Sequence, residues 1–162
     1  MSKALEFATK KHEGQVRRAS NMPYITHPIA VAELVEKHKV SKNIDYLKAA
    51  SLLHDVIEDS DATAMELEIN FGHMVASIVL ELTNDPEKIK IFGKLEYQKK
   101  KMAAMSSYAL VVKLSDRLHN ISDSPTRKMK TDTANLLEFL EKNRVLTKTH
   151  ERLITEIRKY LY

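Results

Sequence analysis

Hydrophobic residues recur at steps of three and four along almost the whole chain, a spacing typical of amphipathic helices. Breaks at Gly14, at Gly72, over 84–86 and at Pro125 separate one repeat from the next. The pattern predicts helices over about 2–12, 28–39, 44–59, 63–71, 73–82, 95–105, 107–121, 131–142 and 148–161. No segment alternates apolar and polar residues between turn signals on both sides, so the sequence predicts an all-α fold.

Composition limits the classes of protein to which the chain can belong, but it does not identify a function. A chain of 162 residues with 43% hydrophobic and 30% charged residues is predicted to form one domain over 1–162. The absence of cysteine excludes a disulfide framework, a cysteine-ligated zinc site and a thiol nucleophile. No apolar signal core opens the chain and no apolar run reaches the ~18 residues of a membrane span, so we expect a cytoplasmic protein without a membrane partner.

The charge balance does not predict a nucleic-acid partner. The formal net charge is +4, and 22 acidic residues are interspersed with 26 basic ones. The basic clusters at 99–101 and 127–130 lack interleaved aromatic residues, which a surface for single-stranded nucleic acid would need. Any functional signal must therefore come from particular residues at particular spacings.

The predicted helix over 44–59 has a polar side that an ordinary solvated face explains only in part. On a helical wheel His54, Asp55, Glu58 and Asp59 share one arc, and aliphatic residues fill the other. Three acids in a last helical turn oppose the helix dipole, and no basic residue follows at the pairing distance. A bound cation would relieve this repulsion, and a His-Asp pair is a common ligand set for divalent metals.

Two further features are compatible with the same chemistry. Lys113, Asp116 and Asn120 form a stripe on the helix predicted over 107–121, which reads either as an exposed ion pair or as the lining of a phosphate and metal site. His27 precedes Pro28 at the start of a predicted helix, where it is either a capping side chain or a ligand. The remaining histidines are predicted to be structural, with His150 exposed.

The order His27, His54-Asp55, Asp116 resembles the H…HD…D signature of the HD-domain metal-dependent phosphohydrolases. The blocks YITHPIAVA, LLHDVIEDS and VVKLSDRLHN, with FG at 71–72 and LT at 82–83, are similar to the hydrolase domain of the RelA/SpoT family, which degrades the alarmone guanosine bispyrophosphate (ppGpp). The resemblance spans residues 4–123 with every block in order. It implies a single-domain helical HD-domain fold, and the length suits a stand-alone small alarmone hydrolase.

The resemblance also implies roles for particular residues. The implied metal ligands are His27, His54, Asp55 and Asp116. Mn²⁺ is usual in the resembled enzymes, and two imidazoles with two carboxylates suit such an ion. The implied catalytic pair is Glu58 and Asp59, which would position water and exchange protons. The implied or expected substrate contacts are Arg17, Arg18, Lys113 and Asn120.

The sequence therefore predicts Mn²⁺-dependent removal of the 3′-pyrophosphate from ppGpp or pppGpp. Two alternatives stay open: an HD-type hydrolase of another nucleotide, such as the 2′-phosphate of NADPH, and a nucleotide-binding module without turnover. The loop at 19–22 lacks the glycine that often precedes PY in the family, which makes base recognition the weakest part of the resemblance. The sequence predicts no oligomeric state.

Overall fold

The computed structural model describes residues 2–162, which form eleven helices and no strand. The helices of the first half are α1 (Lys3–Lys11), α2 (Thr26–His38), α3 (Ile44–Leu53), α4 (Val56–Asp59), α5 (Ala64–Phe71) and α6 (His73–Leu82). Those of the second half are α7 (Pro86–Phe92), α8 (Lys94–Ala104), α9 (Ser107–Ser122), α10 (Arg127–Asn143) and α11 (Lys148–Arg158). The predicted all-α fold is confirmed. Across 2–162, none of these helices combines the length and hydropathy needed to span a bilayer.

The helices divide into two compact units, of which the first ends at Thr83. In this unit α1, α2 and α6 all pack against α3, and α5 pairs with α6. Val31, Leu47 and Val79 are fully buried where these helices meet. Helix α3 is therefore central to the first unit. The segment that follows α3 is attached directly to this buried core.

The second unit covers Asn84–Tyr162. Here α9 packs against α11, and α8 contacts both α7 and α10. Helix α7 was not predicted; it forms because the Asp85 carboxylate caps it and Pro86 occupies its first turn. Helix α10 begins at Arg127 rather than near 131, because the Thr126 hydroxyl accepts the Met129 N–H. The expectation of one domain over 1–162 stays a prediction.

The predicted helix over 44–59 is not continuous, which corrects the wheel argument for its polar side. Helix α3 ends at Leu53 and α4 begins at Val56. The carbonyl of Ser51, which a continuous helix would pair with the N–H of Asp55, instead accepts the Nδ1–H of His54 at 2.6 Å. The chain turns at this point. The later acids accordingly lie in the first turn of a new helix and not in the last turn of a long one.

The segment between α1 and α2 is a loop closed by backbone pairing. Val16 and Pro23 form an isolated antiparallel bridge, and the N–H of Tyr24 donates to the carbonyl of Gln15 at 2.9 Å. At the tip, Asn21 has φ 56°, the left-handed conformation that asparagine tolerates better than most residues. Asn21 thereby allows this turn to form without glycine.

Candidate metal centre

Two buried imidazoles lie side by side in the first unit. His27 is the second residue of α2 and His54 follows the end of α3, and only 1% and 3% of their surfaces are exposed. Their ring centroids are 5.2 Å apart, and each ring offers a nitrogen within 4.8 Å of the other. The first turn of α2 and the break after α3 thus bring together two histidines that are far apart in the sequence.

The hydrogen bond of His54 defines which ring nitrogen is available to a cation. Because Nδ1 donates to the Ser51 carbonyl, the neutral ring keeps its lone pair on Nε2. A backbone carbonyl is a usual partner for the far nitrogen of a metal-binding histidine. The break in the helix therefore both turns the chain and selects the tautomer that ligation requires.

Asp55 completes the group in this unit. Its Oδ2 atom lies 2.9 Å from Nε2 of His54 and 3.9 Å from Nε2 of His27. The lone pairs of a neutral imidazole and a carboxylate repel each other at such a distance unless a cation lies between them. Imidazole and carboxylate without thiolate suit a divalent ion such as Mn²⁺, so these residues fit the metal that the resemblance implies.

The acid pair follows on the short helix α4. Glu58 and Asp59 both reach solvent on this helix, although neighbouring groups partly desolvate the Asp59 carboxyl. Partial burial of the Asp59 carboxyl raises its pKa above the ordinary value of 3.8, and the neighbouring Asp55 carboxylate adds to the increase. The neighbouring histidines lower the pKa of Asp59, but by less than these two effects raise it. A raised pKa brings Asp59 closer to the range in which it can exchange a proton.

The predicted stripe on α9 lies in the second unit, and the structure brings its side chains together. Asp116 is 7% exposed, with its Oδ2 atom 2.9 Å from the Lys113 ammonium and its Oδ1 atom 3.0 Å from the Asn120 amide nitrogen. Both neighbours belong to the same helix. Their spacing at i−3 and i+4 is what places them beside the carboxylate.

The two arginines expected at the nucleotide lie in the loop between α1 and α2. The backbone N–H of Arg17 donates to the carbonyl of Met22, and its own carbonyl accepts from the N–H of Asn21. The Arg17 side chain is half-buried and that of Arg18 is exposed. The loop thus has a defined shape, and the binding role of both arginines stays a prediction.

The structure adds neighbours that the sequence analysis did not single out. Tyr24 donates its hydroxyl to Oδ2 of Asp55 at 2.5 Å, and Gln15 donates its side-chain amide to the carbonyl of Asp59 at 2.6 Å. The only sequence signal for Tyr24 was its position at the start of the YITHPIAVA block. His150, predicted to be exposed, is fully buried because its two ring nitrogens meet the Thr147 N–H and the Ser107 carbonyl.

Comparisons with known proteins agree with this arrangement of motifs. Residues 4–139 match the HD domain family model. The chain is 40% identical over 121 residues to the human guanosine-3′,5′-bis(diphosphate) 3′-pyrophosphohydrolase MESH1, covering 74% of this chain and 66% of that protein. It is 42% identical over 121 residues to the bifunctional (p)ppGpp synthase/hydrolase SpoT of Escherichia coli K12, covering 70% of this chain and 16% of that protein. The match thus spans slightly less than two thirds of MESH1.

A solved structure shows the same fold over nearly the full chain. It is that of a metazoan ortholog of SpoT, described as hydrolyzing ppGpp and playing a role in starvation responses. The TM-score is 0.79 at 28% identity, covering 98% of this chain and 94% of that one. The predicted HD-domain fold is therefore confirmed.

Proposed function

This chain belongs to the HD domain family, and from that membership we propose that it is a Mn²⁺-dependent hydrolase of ppGpp and pppGpp. The reaction adds water, breaks the bond that holds the 3′-pyrophosphate, and releases pyrophosphate with GDP or GTP. The similarity to MESH1 and SpoT supports the substrate. We propose that the protein acts in the cytoplasm on a small nucleotide and has no nucleic-acid or membrane partner.

One observation supports the metal-dependent chemistry above all others. The Nε2 atoms of His27 and His54 both face Oδ2 of Asp55, at 3.9 and 2.9 Å. With Nδ1 donating to the Ser51 carbonyl, a neutral His54 ring turns its Nε2 lone pair toward this carboxylate, so that two electron-rich atoms face each other. A divalent cation resolves this conflict and explains why three polar groups lie together beside a hydrophobic core.

The proposed ligands are His27, His54, Asp55 and Asp116. The assignment of Asp116 rests on the motif order and on a family match that runs past it to residue 139. When bound, a divalent ion at these side chains supplies a lowered pKa for water and offsets the charge of the pyrophosphate. Manganese is proposed because it is the ion that the family resemblance implies, and a donor set of nitrogen and oxygen without sulfur is compatible with it.

Glu58 and Asp59 are the proposed proton carriers. Hydrolysis removes a proton from the attacking water and delivers one to the departing 3′ oxygen. Carboxylates a few residues beyond Asp55 can do both if their pKa values lie near the working pH. The raised pKa of Asp59 favours it as the group that carries the proton to the leaving oxygen, with Glu58 as the base.

Four side chains are proposed to bind the nucleotide. They are Arg17, Arg18, Lys113 and Asn120. Guanidinium groups suit the phosphates or the face of the base, and an ammonium and an amide donate hydrogen bonds to phosphate oxygens. The loop that carries the two arginines and the polar stripe on α9 would then determine the substrate preference.

Purified protein incubated with Mn²⁺ and ppGpp tests the proposal directly. We expect pyrophosphate and GDP in equal amounts, with no release when a chelator replaces the metal. NADPH and other nucleotide phosphates measured in parallel would show whether ppGpp is preferred. Bound metal without pyrophosphate release would contradict the proposed reaction, and tight ppGpp binding without product would favour a non-catalytic binding module.

Glu58→Gln separates catalysis from metal binding. The amide keeps the size of the side chain but cannot accept the proton, so we expect turnover to fall by about 10²–10⁴-fold while Mn²⁺ content stays at the wild-type level. Glu68→Gln, at an exposed position on α5, is the matched control and should change neither. Full activity in Glu58→Gln would remove Glu58 from the mechanism.

A further inference from the structure

Three side chains beside the candidate ligands have no part in the proposed reaction. They are His12, Gln15 and Tyr24. His12 is 3% exposed, although it follows the last turn of a surface helix. Burying a polar group costs free energy unless it is hydrogen-bonded, so the partners of His12 are informative.

The hydrogen bonds of Gln15 connect His12 to the acid pair. The side-chain nitrogen of Gln15 donates to the carbonyl of Asp59 at 2.6 Å, which leaves its oxygen as the acceptor. That oxygen lies 2.8 Å from Nδ1 of His12, so the proton on the ring is on Nδ1. The end of α1 is thus joined to the end of α4 through one amide.

Tyr24 connects the same group to the candidate ligands. Its ring centroid lies 4.8 Å from that of His12 and 5.8 Å from that of His27. Its hydroxyl donates to Oδ2 of Asp55, the oxygen that faces both candidate imidazoles. Tyr24 therefore connects the loop to the metal centre, and its ring contacts one histidine at the end of α1 and another in α2.

We propose that Tyr24 is a positioning residue that sets the metal affinity of this centre through Asp55. The inference rests on the proposed function, since it assumes that Asp55 is a ligand. A hydroxyl that donates to one carboxylate oxygen restricts rotation of the carboxylate and so lowers the cost of ordering it around a cation. His12 holds the Tyr24 ring in place, and Gln15 anchors the loop to the segment that carries the acid pair.

Tyr24→Phe removes one oxygen and keeps the ring, so it tests the hydroxyl alone. We expect the Mn²⁺ dissociation constant of the metal-free protein, measured by calorimetry, to rise by about 10–100-fold. At saturating Mn²⁺ the variant should regain the wild-type kcat and KM for ppGpp, because the change acts through metal occupancy. Because bound metal also stabilises a folded protein, a general loss of stability is detected separately, in the metal-free protein.

Tyr97→Phe is the matched control. The Tyr97 hydroxyl also has hydrogen bonds, from the Asp85 N–H at 2.8 Å and the Lys101 ammonium at 3.3 Å, but in the second unit. Its removal should leave the Mn²⁺ affinity unchanged. Thermal unfolding followed by circular dichroism would verify that both variants are folded.

Three results would overturn the inference: equal Mn²⁺ affinity in Tyr24→Phe and wild type, an equal loss in Tyr97→Phe, or a kcat that saturating Mn²⁺ does not restore. The affinity measurement needs no nucleotide. If the wild-type protein binds Mn²⁺ but does not hydrolyse ppGpp, the proposed reaction fails while the role of Tyr24 is still decided by the binding constants.

Discussion

Asp55 and Asp116, the two carboxylates proposed as ligands, are held in opposite ways. Asp116 lies inside α9, and each of its oxygens meets a residue of the same helix, Lys113 or Asn120. Asp55 lies between two helices, and its Oδ2 atom meets the hydroxyl of Tyr24, which is 31 residues earlier in the chain. The surroundings of Asp116 follow from helical spacing, whereas those of Asp55 exist only in the folded unit.

The largest expected effect tests whether this difference matters to the metal. Asp55→Ala and Asp116→Ala should each abolish Mn²⁺ binding and ppGpp hydrolysis together, because a missing ligand is not replaced by water without loss of affinity. Metal content by elemental analysis and pyrophosphate release would be measured on the same preparations. Equal losses would mean that two differently held carboxylates serve one centre.

Asp61→Ala is the control for both variants. This carboxylate is 88% exposed and binds Lys11, so its removal should leave metal content and turnover unchanged. If Asp116→Ala kept its Mn²⁺ while Asp55→Ala lost it, the metal centre would be confined to the first unit. Asp116 would then be reassigned to the substrate side together with its two neighbours.

The neighbours of Asp116 offer a finer test of the same comparison. If Lys113 and Asn120 bind the nucleotide, Lys113→Met and Asn120→Ala should each raise the KM for ppGpp by about fivefold, which corresponds to about 1 kcal/mol for one hydrogen bond. Mn²⁺ content should not change. Asn143→Ala, at an exposed amide bonded to the Phe139 carbonyl, should leave KM unaltered. A loss of metal at constant KM would instead make both residues supports for Asp116.

The same contrast explains how much of the fold could be predicted. Helices with continuous periodicity, such as α9, were predicted to within a few residues because the apolar repeat and the stop signal at Pro125 agree. The break after Leu53 was missed because the aliphatic repeat continues through it, with Leu52, Val56 and Ile57 still in helical phase. A hydrogen bond from a side chain to a backbone carbonyl can interrupt a helix without changing the spacing of its apolar residues.

In the candidate site, too, contacts within one helix could be predicted from the sequence, whereas contacts between separate segments could not. The spacing of Lys113, Asp116 and Asn120 predicted their contact, since only one helix is involved. The contact of Tyr24 with Asp55 and the bond from Gln15 to Asp59 depend on how a loop packs against a helix end, which no local pattern encodes. Motif resemblance indicated the ligands but not the side chains that orient them.

The smallest expected effect concerns stability in the first unit. The pKa of Asp59 is raised by partial burial and by Asp55, so the folded protein binds more protons than the unfolded chain between the two pKa values. The free energy of unfolding therefore falls as pH rises through that interval. Asp59→Asn should make the metal-free protein more stable at neutral pH, with the gain vanishing as the pH drops below about 3.8.

Asp61→Asn provides a control of opposite sign. Its hydrogen bond with Lys11 lowers the pKa of Asp61, so this carboxylate stabilises the folded state above its ordinary pKa and loses that effect as the pH falls. The Asn variant should be slightly less stable at neutral pH and equal to wild type in acid. Urea titrations with chelator at several pH values measure both differences. Destabilisation of the metal-free protein by Asp59→Asn at neutral pH would mean that the Asp59 carboxylate supports the fold, and its assignment as a proton carrier would lose the electrostatic argument behind it.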